Sequence, residues 1–267
     1  MLQLTSLYRY PLKSCAAEPL QHAVIDELGL HGDRRWMVVD SANGRFLTQR
    51  LLPQLGRIRA SWQGDDLLLE APGMSALQVL LPDAQSPLRG VTVWSDSLQV
   101  PDAGDAAARW VSDYLQRDCR LVQVPAGRAR QVDTRYARPG EKVGFADGFP
   151  LLLIGQASLD ELSARVGRPL EMLRFRPNLV VAGAHAYAED SWKRIRIGTL
   201  ELRVVKGCSR CIMTTLDPLT GARSADREPL QTLKTYRERD GEVYFGQNLI
   251  AEGQGVLESG MPVEVLE

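Results

Sequence analysis

At 267 residues, with 44% hydrophobic and 24% charged side chains and a formal net charge of -1, the chain has the balance of an ordinary globular protein. It is long enough for one large domain or two closely packed ones. The near-neutral charge leaves no footprint for a nucleic-acid partner, and no apolar run approaches the roughly 18 residues that a membrane span requires. The opening MLQLTSLYRYPLKS has no basic leader with a long apolar segment behind it. Four cysteines, two of them isolated, do not make a disulfide framework. The expectation is a cytoplasmic protein with no membrane and no nucleic-acid partner.

In chain order, RRWMVVD, SANG and RFLTQR read as a hairpin, DDLLLEA and ALQVLLP as strands, and VTVW-SDS-LQV as a second hairpin. GDAAARWVSDYLQRD is the first helix, with Trp110, Val111, Tyr114 and Leu115 on one face and Asp105 placed to cap or favour its start. The arginine-rich AGRARQVDTRYARPGEK has no periodicity and reads as a boundary or mobile loop. FPLLLIG is an apolar run. SLDELSARVG is a second helix, with capping-box spacing at Ser158 and Glu161 and a stop at Gly167. NLVVAG, the hairpin KRIRI-GT-LELRVVK, IMTTL with its turn DPLTG, and GVLESGMPVEVLE complete the strands. The fold class is mainly β with a few helices, barrel-like or sandwich-like.

The thiols of Cys208 and Cys211 in VVKGCSRCIMTTLDPLTG pose the chemical question. A redox pair of the thioredoxin type needs a helix N-terminus behind its first thiol, and IMTTL reads as strand. A structural zinc site needs four ligands, and Cys15, Cys119, His22, His31 and His185 are scattered. Two buried small hydrophobes, or a thiolate ligand to a softer redox metal, both stay open on spacing alone. Cations offer a second clue. Lys13 and Ser14 in YPLKS, Arg34 and Arg35 in GDRRW, and Arg174 and Arg176 in FRFRPNLV all stand at strand ends beside apolar runs. Lys and Arg so placed suit a phosphate, although surface cations at element ends would look the same.

YPLKSC, GDRRWMVVD, FADGFPLLL, ASLDEL, FRFRPNLVV, EDSWKRIRIG, CSRCIMTTLDPLTG, EPLQTLKTYR and FGQNLI together resemble the MOSC family. The likeness is to its members with an N-terminal companion domain, the YcbX-like proteins related to the mitochondrial amidoxime-reducing component. It runs in order from about residue 4 to the C-terminus. It implies an N-terminal β-barrel-like domain, residues 1–122, packed on a MOSC β-barrel domain, residues 123–267.

The resemblance also implies a molybdenum cofactor (Mo-molybdopterin), a pterin dithiolene with a terminal phosphate, and a set of residues to hold it. The metal ligand and catalytic residue maps to Cys211, with Cys208 as a neighbour. The pterin and phosphate contacts map to Lys13, Ser14, Arg34, Asp147, Arg176 and Asn178. The implied activity is reduction of N-hydroxylated small molecules (hydroxylaminopurines, hydroxylamines, amidoximes), a detoxification chemistry. YcbX-like chains continue into a ferredoxin-like domain, whose cluster needs four cysteines, and none follows Cys211. Electrons are therefore expected from a separate electron-transfer protein, of flavoprotein reductase or ferredoxin type. The alternatives are a non-catalytic cofactor-binding or sulfur-carrier module, and a plain β-rich interaction domain. Thr48, Arg50, Phe245 and Gln247 are further candidates to border such a site. Trp36 and Trp192 read as packing residues, and the three histidines as structural or surface groups.

Overall fold

The computed structural model describes every residue, Met1–Glu267. Strands dominate it, with three α-helices: α1 (Gly104–Leu115), α2 (Gln156–Val166) and α3 (Leu230–Arg237). The largest sheet has nine strands. Its path runs Glu18–Leu20, Gln3–Arg9, Leu179–Ala182, Leu151–Gly155, Glu242–Ala251, Leu200–Arg210, Arg194–Ile197 and Val263–Val265, with Glu238–Arg239 alongside Glu242–Ala251. Its one parallel pair, Leu151–Gly155 with Leu179–Ala182, is joined through α2, the crossover that parallel strands require.

The first thirty residues belong to this sheet's core. Leu4, Leu7, Ala23, Ile25 and Leu30 pack with Leu151, Leu153, Ile195, Leu202 and Leu249. A fully buried side chain of this size contributes about 2 kcal/mol. A second core, around Trp36, Leu55, Leu67, Trp110, Val111 and Leu121, fills the unit built from residues 36 to 122. Strand Trp36–Asp40 is buried at all five positions. Trp36 and Val38 point into that core, and Met37 and Val39 into a third with Val91, Val93, Val122 and Phe145. A strand covered on both faces reads as the continuous apolar run WMVVD. The N-terminal chain is thus hydrogen-bonded into the C-terminal sheet, and Tyr10–Cys15 lies at the seam between the two units.

Several local expectations are replaced. IMTTL is not a strand: Ile212–Thr215 is a short 3₁₀ turn. Thr214 Oγ1 donates to the Cys211 carbonyl at 3.1 Å and Thr215 Oγ1 to the Ile212 carbonyl at 2.7 Å. These local bonds outcompete β propensity. Ser158 and Glu161 form no capping box, because α2 begins at Gln156 and Ser158 lies inside it. Ser158 Oγ instead donates to the buried Glu189 carboxylate at 2.7 Å, which also accepts the Gly155 N–H at 3.0 Å. Gly167 does end that helix, at φ 79°.

Asp105 stands in the first turn of α1, where an acidic group favours the start, but does not cap it. Asp102 accepts the Gly104 N–H at 2.8 Å, and Asp105 pairs with Arg120. RFLTQR returns only as two isolated bridges, Phe46 to Val39 and Arg45 to Thr92. The arginine-rich stretch is organised: Arg130–Gln131 pairs with Lys142–Val143, and the buried Arg130 guanidinium donates to the Gly144 and Ala146 carbonyls. Helix α3 escaped the sequence reading because only Leu233 on it is buried, so no apolar periodicity announces it.

Candidate functional site

The loop after Gln3–Arg9 folds back on the start of strand Trp36–Asp40. Lys13 N–H donates to the Trp36 carbonyl at 2.8 Å, and Trp36 N–H to the Pro11 carbonyl at 3.1 Å. This turns Lys13 and Ser14 inward, with Ser14 at φ 66°. Arg34 and Arg176 end their own turns at φ 45° and 55°. Three side-chain-bearing residues in left-handed backbone at one site is a conformational cost that proteins tolerate chiefly where a geometry is needed.

A cavity of about 630 Å³ lies where the units meet, and Lys13, Ser14, Arg34, Asp147, Arg176, Asn178 and Cys211 all line it. The structure therefore brings together the seven residues that the resemblance assigned to the cofactor. They do not stand in it alike. Lys13 Nζ is buried and donates to the Phe145 carbonyl at 2.6 Å and to Asp147 Oδ1 at 2.5 Å. Burial pushes Lys13 below its ordinary pKa, against the opposing charge of Asp147. Burial raises Asp147, but Lys13, then Arg50 and Arg34, outweigh it and hold the carboxyl well below the usual carboxylate range.

Arg34 and Arg176 place their guanidiniums each 4.2 Å from the centre of the Tyr10 ring, cation–π contacts with one aromatic group. Arg34 donates to Asp33 at 2.6 Å, to Asn178 Oδ1 at 3.0 Å and to the Arg176 carbonyl at 3.2 Å. Arg176 Nη1 donates to the Cys15 carbonyl at 2.8 Å, and its Nη2 has no partner. Asn178 is 1% exposed and already ties Tyr8, Leu152 and Arg34 together. Its contribution is to hold Arg34 in place. Arg35, the neighbour in GDRRW, turns away to Asp26, whereas Arg174 stays in the wall and pairs with Glu171.

The thiols enter on the far wall. Strand Leu200–Arg210 shifts register against Glu242–Ala251 between Val204 and Lys206 and again between Gly207 and Ser209. Such bulges re-aim side chains, and Lys206–Cys211 all face the cavity. Gly246 (φ 77°) lies beneath: a Cβ there would come within 2.8 Å of the Leu153 carbonyl oxygen and 3.3 Å of Arg210 Nη2. Arg210 donates to the Phe245 and Phe175 carbonyls at 2.7 and 2.9 Å, leaving Nη2 unpaired.

All four cysteines are free. Burial pushes the Cys208 thiol up, while Arg210 opposes it. Cys211 is exposed, just beyond the strand, and accepts a hydrogen bond from Arg50 Nη2 at 3.4 Å. Thr48 and Arg50, two of the further candidates, are both in the wall. Phe245 is core packing against Phe175 at 4.5 Å, and Gln247 is bound to Asp190. Neither borders the cavity, whereas Asn248 does. Sequence reasoning missed Lys206, Met213, Glu242 and Trp94. None carried a signal: Trp94 reads as the end of the strand VTVW before a turn SDS, whereas Asp96 pairs with Val93 and the turn is Trp94–Ser95. Trp36 and Trp192 are buried in cores.

Seven Lys or Arg side chains against two carboxylates, Asp147 and Glu242, line this space. With two orphaned guanidinium nitrogens and one exposed sulfur, these residues fit an anionic, phosphate-bearing ligand and a soft metal held at Cys211.

A two-unit β protein whose halves share one cation-lined, thiol-bearing cavity is the class that fold and site define. Residues 1–118 match the MOSC N-terminal beta barrel domain and residues 140–264 the MOSC domain. The chain belongs to the MOSC-domain family. It is 37% identical to mitochondrial amidoxime-reducing component 1 of Mus musculus over 280 residues, covering 98% of this chain and 82% of that protein. It is 35% identical to the Homo sapiens protein of the same name, with the same coverages. Among solved structures, the YUAD protein from Bacillus subtilis aligns over 98% of this chain and 94% of its own, at 13% identity and TM-score 0.44. No helix of the chain is long and apolar enough to cross a membrane.

Proposed function

We propose that this protein binds a molybdenum cofactor and reduces N-hydroxylated compounds such as hydroxylaminopurines, hydroxylamines and amidoximes. The net reaction is R–NH–OH + 2 e⁻ + 2 H⁺ → R–NH₂ + H₂O, with the electrons delivered by a separate flavoprotein reductase or ferredoxin-type protein. The observation that carries the reading is the exposed Cys211 sulfur in a cavity whose cations keep unpaired N–H donors. Membership of the MOSC family and relatives named amidoxime-reducing components support it.

Bound there, the cofactor would supply a two-electron couple able to accept the oxygen of an N–O group. The chain's residues do the rest. Cys211 would offer a soft thiolate to the metal. Lys13, Arg34 and Arg176, with Ser14, would hold the terminal phosphate, with Asn178 fixing Arg34. Asp147 keeps Lys13 aimed into the cavity. Arg50 approaches the sulfur from the N-terminal unit, so the site is complete only when both units are docked. Four free thiols suit a reducing compartment, and we place the protein in the cytoplasm.

The experiment is molybdenum analysis of wild type and Cys211→Ala from a host that makes the cofactor, with turnover of an N-hydroxylated substrate on an artificial donor. Stoichiometric metal with turnover in wild type, and little of either in the variant, is expected. Metal without turnover would instead identify a cofactor-binding or sulfur-carrier module. No metal in wild type would sink the proposal.

A further inference from the structure

Trp94 belongs to none of the hydrophobic cores. It stands at the first position of the two-residue turn between strands Leu88–Val93 and Asp96–Pro101, with backbone φ 56°. Gly or Asn ordinarily fills such a position, because a side chain there is strained. A tryptophan that leaves 47% of its surface exposed gains little from burial to offset that strain. Its ring is nevertheless fixed: Phe46 meets it edge-on at 5.1 Å, and the Arg50 guanidinium lies over it at 5.0 Å. The same Arg50 touches the Cys211 sulfur at 3.4 Å. Trp94 lines both the main cavity and an outer one of about 500 Å³ formed with Arg45, Phe46, Thr48, Thr92 and Ser95. A strained, exposed, buttressed aromatic ring thus lines the cavity that holds the sulfur.

We propose that Trp94 is the stacking platform that receives the planar, conjugated ring of the substrate, and so selects aromatic and heteroaromatic N-hydroxylated compounds over aliphatic ones. This deepens the proposed function and rests on it for the reacting group. Stacking on an exposed indole requires only a flat π system. Arg50, in contact with both the ring and the Cys211 sulfur, places the platform and the sulfur on the same wall of the cavity.

Adenine, a planar heterocycle with no N–O bond, is the binding probe, titrated calorimetrically into the purified holoenzymes of wild type, Trp94→Gly and Trp94→Phe. Glycine suits the backbone, so Trp94→Gly should fold at least as well as wild type, checked by its melting temperature. Adenine should bind roughly tenfold more weakly to Trp94→Gly and within about threefold of wild type to Trp94→Phe. In turnover, the ratio of kcat/KM for 6-hydroxylaminopurine to that for hydroxylamine should fall about tenfold in Trp94→Gly and recover in Trp94→Phe. Equal adenine binding in wild type and Trp94→Gly, or none in wild type, overturns the platform whatever the metal content. Adenine binding lost in Trp94→Gly, in a protein without reductase turnover, supports the platform while the reductase reading fails.

Discussion

Two charge clusters in this molecule use the same side chains to opposite ends. At Asp102, 4% exposed, one carboxylate accepts Arg89 Nε at 2.8 Å, Arg120 Nε and Nη2 at 2.9 and 2.6 Å, and the Gly104 N–H at 2.8 Å. Donors and acceptors balance, and the cluster ties α1 to the strands beside it. In the cavity wall, cations outnumber carboxylates, and Arg176 and Arg210 each leave a buried nitrogen without a partner. The orphaned nitrogens of Arg203 and Arg237 differ, since each has a carboxylate oxygen within 3.3 or 2.6 Å. Arg35 also leaves its Nε unpaired, outside the cavity, so it is the surplus of cations together with the free nitrogens that sets the cavity wall apart from the saturated cluster.

The comparison is most severely tested at the sulfur. Cys211→Ala should drop bound molybdenum to background and abolish N-reductase turnover, with a melting temperature within about 2 °C of wild type, because an exposed thiol contributes little packing. Cys208→Ala should keep at least about half of the metal. Next, Lys13→Met should cut cofactor retention on gel filtration about tenfold. Its stability should stay within about 1 kcal/mol of wild type, since the cost of burying an ammonium goes with its hydrogen bonds.

The pH dependence gives the sign. Burial lowers the folded pKa of Lys13. Between that value and the ordinary one the unfolded chain binds more protons, so stability rises with pH there. Urea titrations across the alkaline range should lose this rise in Lys13→Met.

Asp102→Asn should do the reverse of Lys13→Met. It should cost about 2 kcal/mol in urea unfolding by leaving Arg89 without its anion and Arg120 with Asp105 alone, discounted for their partial exposure, while metal content stays at the wild-type level. Burial pushes the Asp102 carboxyl up, but the bonds from Arg120, Arg89 and Gly104 outweigh it and hold it below the usual range. Its contribution is full above about pH 4 and is lost as pH falls toward the folded pKa. The variant's acid limb should be correspondingly flatter. The smallest effect belongs to Arg89→Ala, about 0.5 kcal/mol, because Arg120 still grips the carboxylate with two nitrogens. A loss as large as that of Asp102→Asn would show that the cluster is not saturated as described.

Much of this was legible in the chain. Period-two alternation located most strands, Gly198 set the turn of the hairpin Arg194–Ile197 with Leu200–Arg210, and the cationic strand ends pointed to the cavity. Short-range signals failed where a distant group prevailed. Ser158 looks like a cap until Glu189, 31 residues away, takes its hydroxyl. The arginine-rich stretch looks structureless until Arg130 finds the carbonyls of residues 144 and 146. Arg34 and Arg35 are indistinguishable as letters, and only the turn at φ 45° sends one to the cavity and the other to Asp26.

The sequence by itself determined the β-rich class, the strand pattern and the kinds of donor at the site, because propensity, periodicity and side-chain chemistry are properties of neighbouring residues. Only the tertiary structure decided that Lys13, Arg34, Arg176 and Cys211 share one space, that Arg50 reaches the sulfur and that Trp94 lines the same cavity. Those facts depend on how residues up to about two hundred positions apart are brought together. Long-range packing of the first thirty residues into the C-terminal sheet sets that meeting, and local pattern carries no record of it.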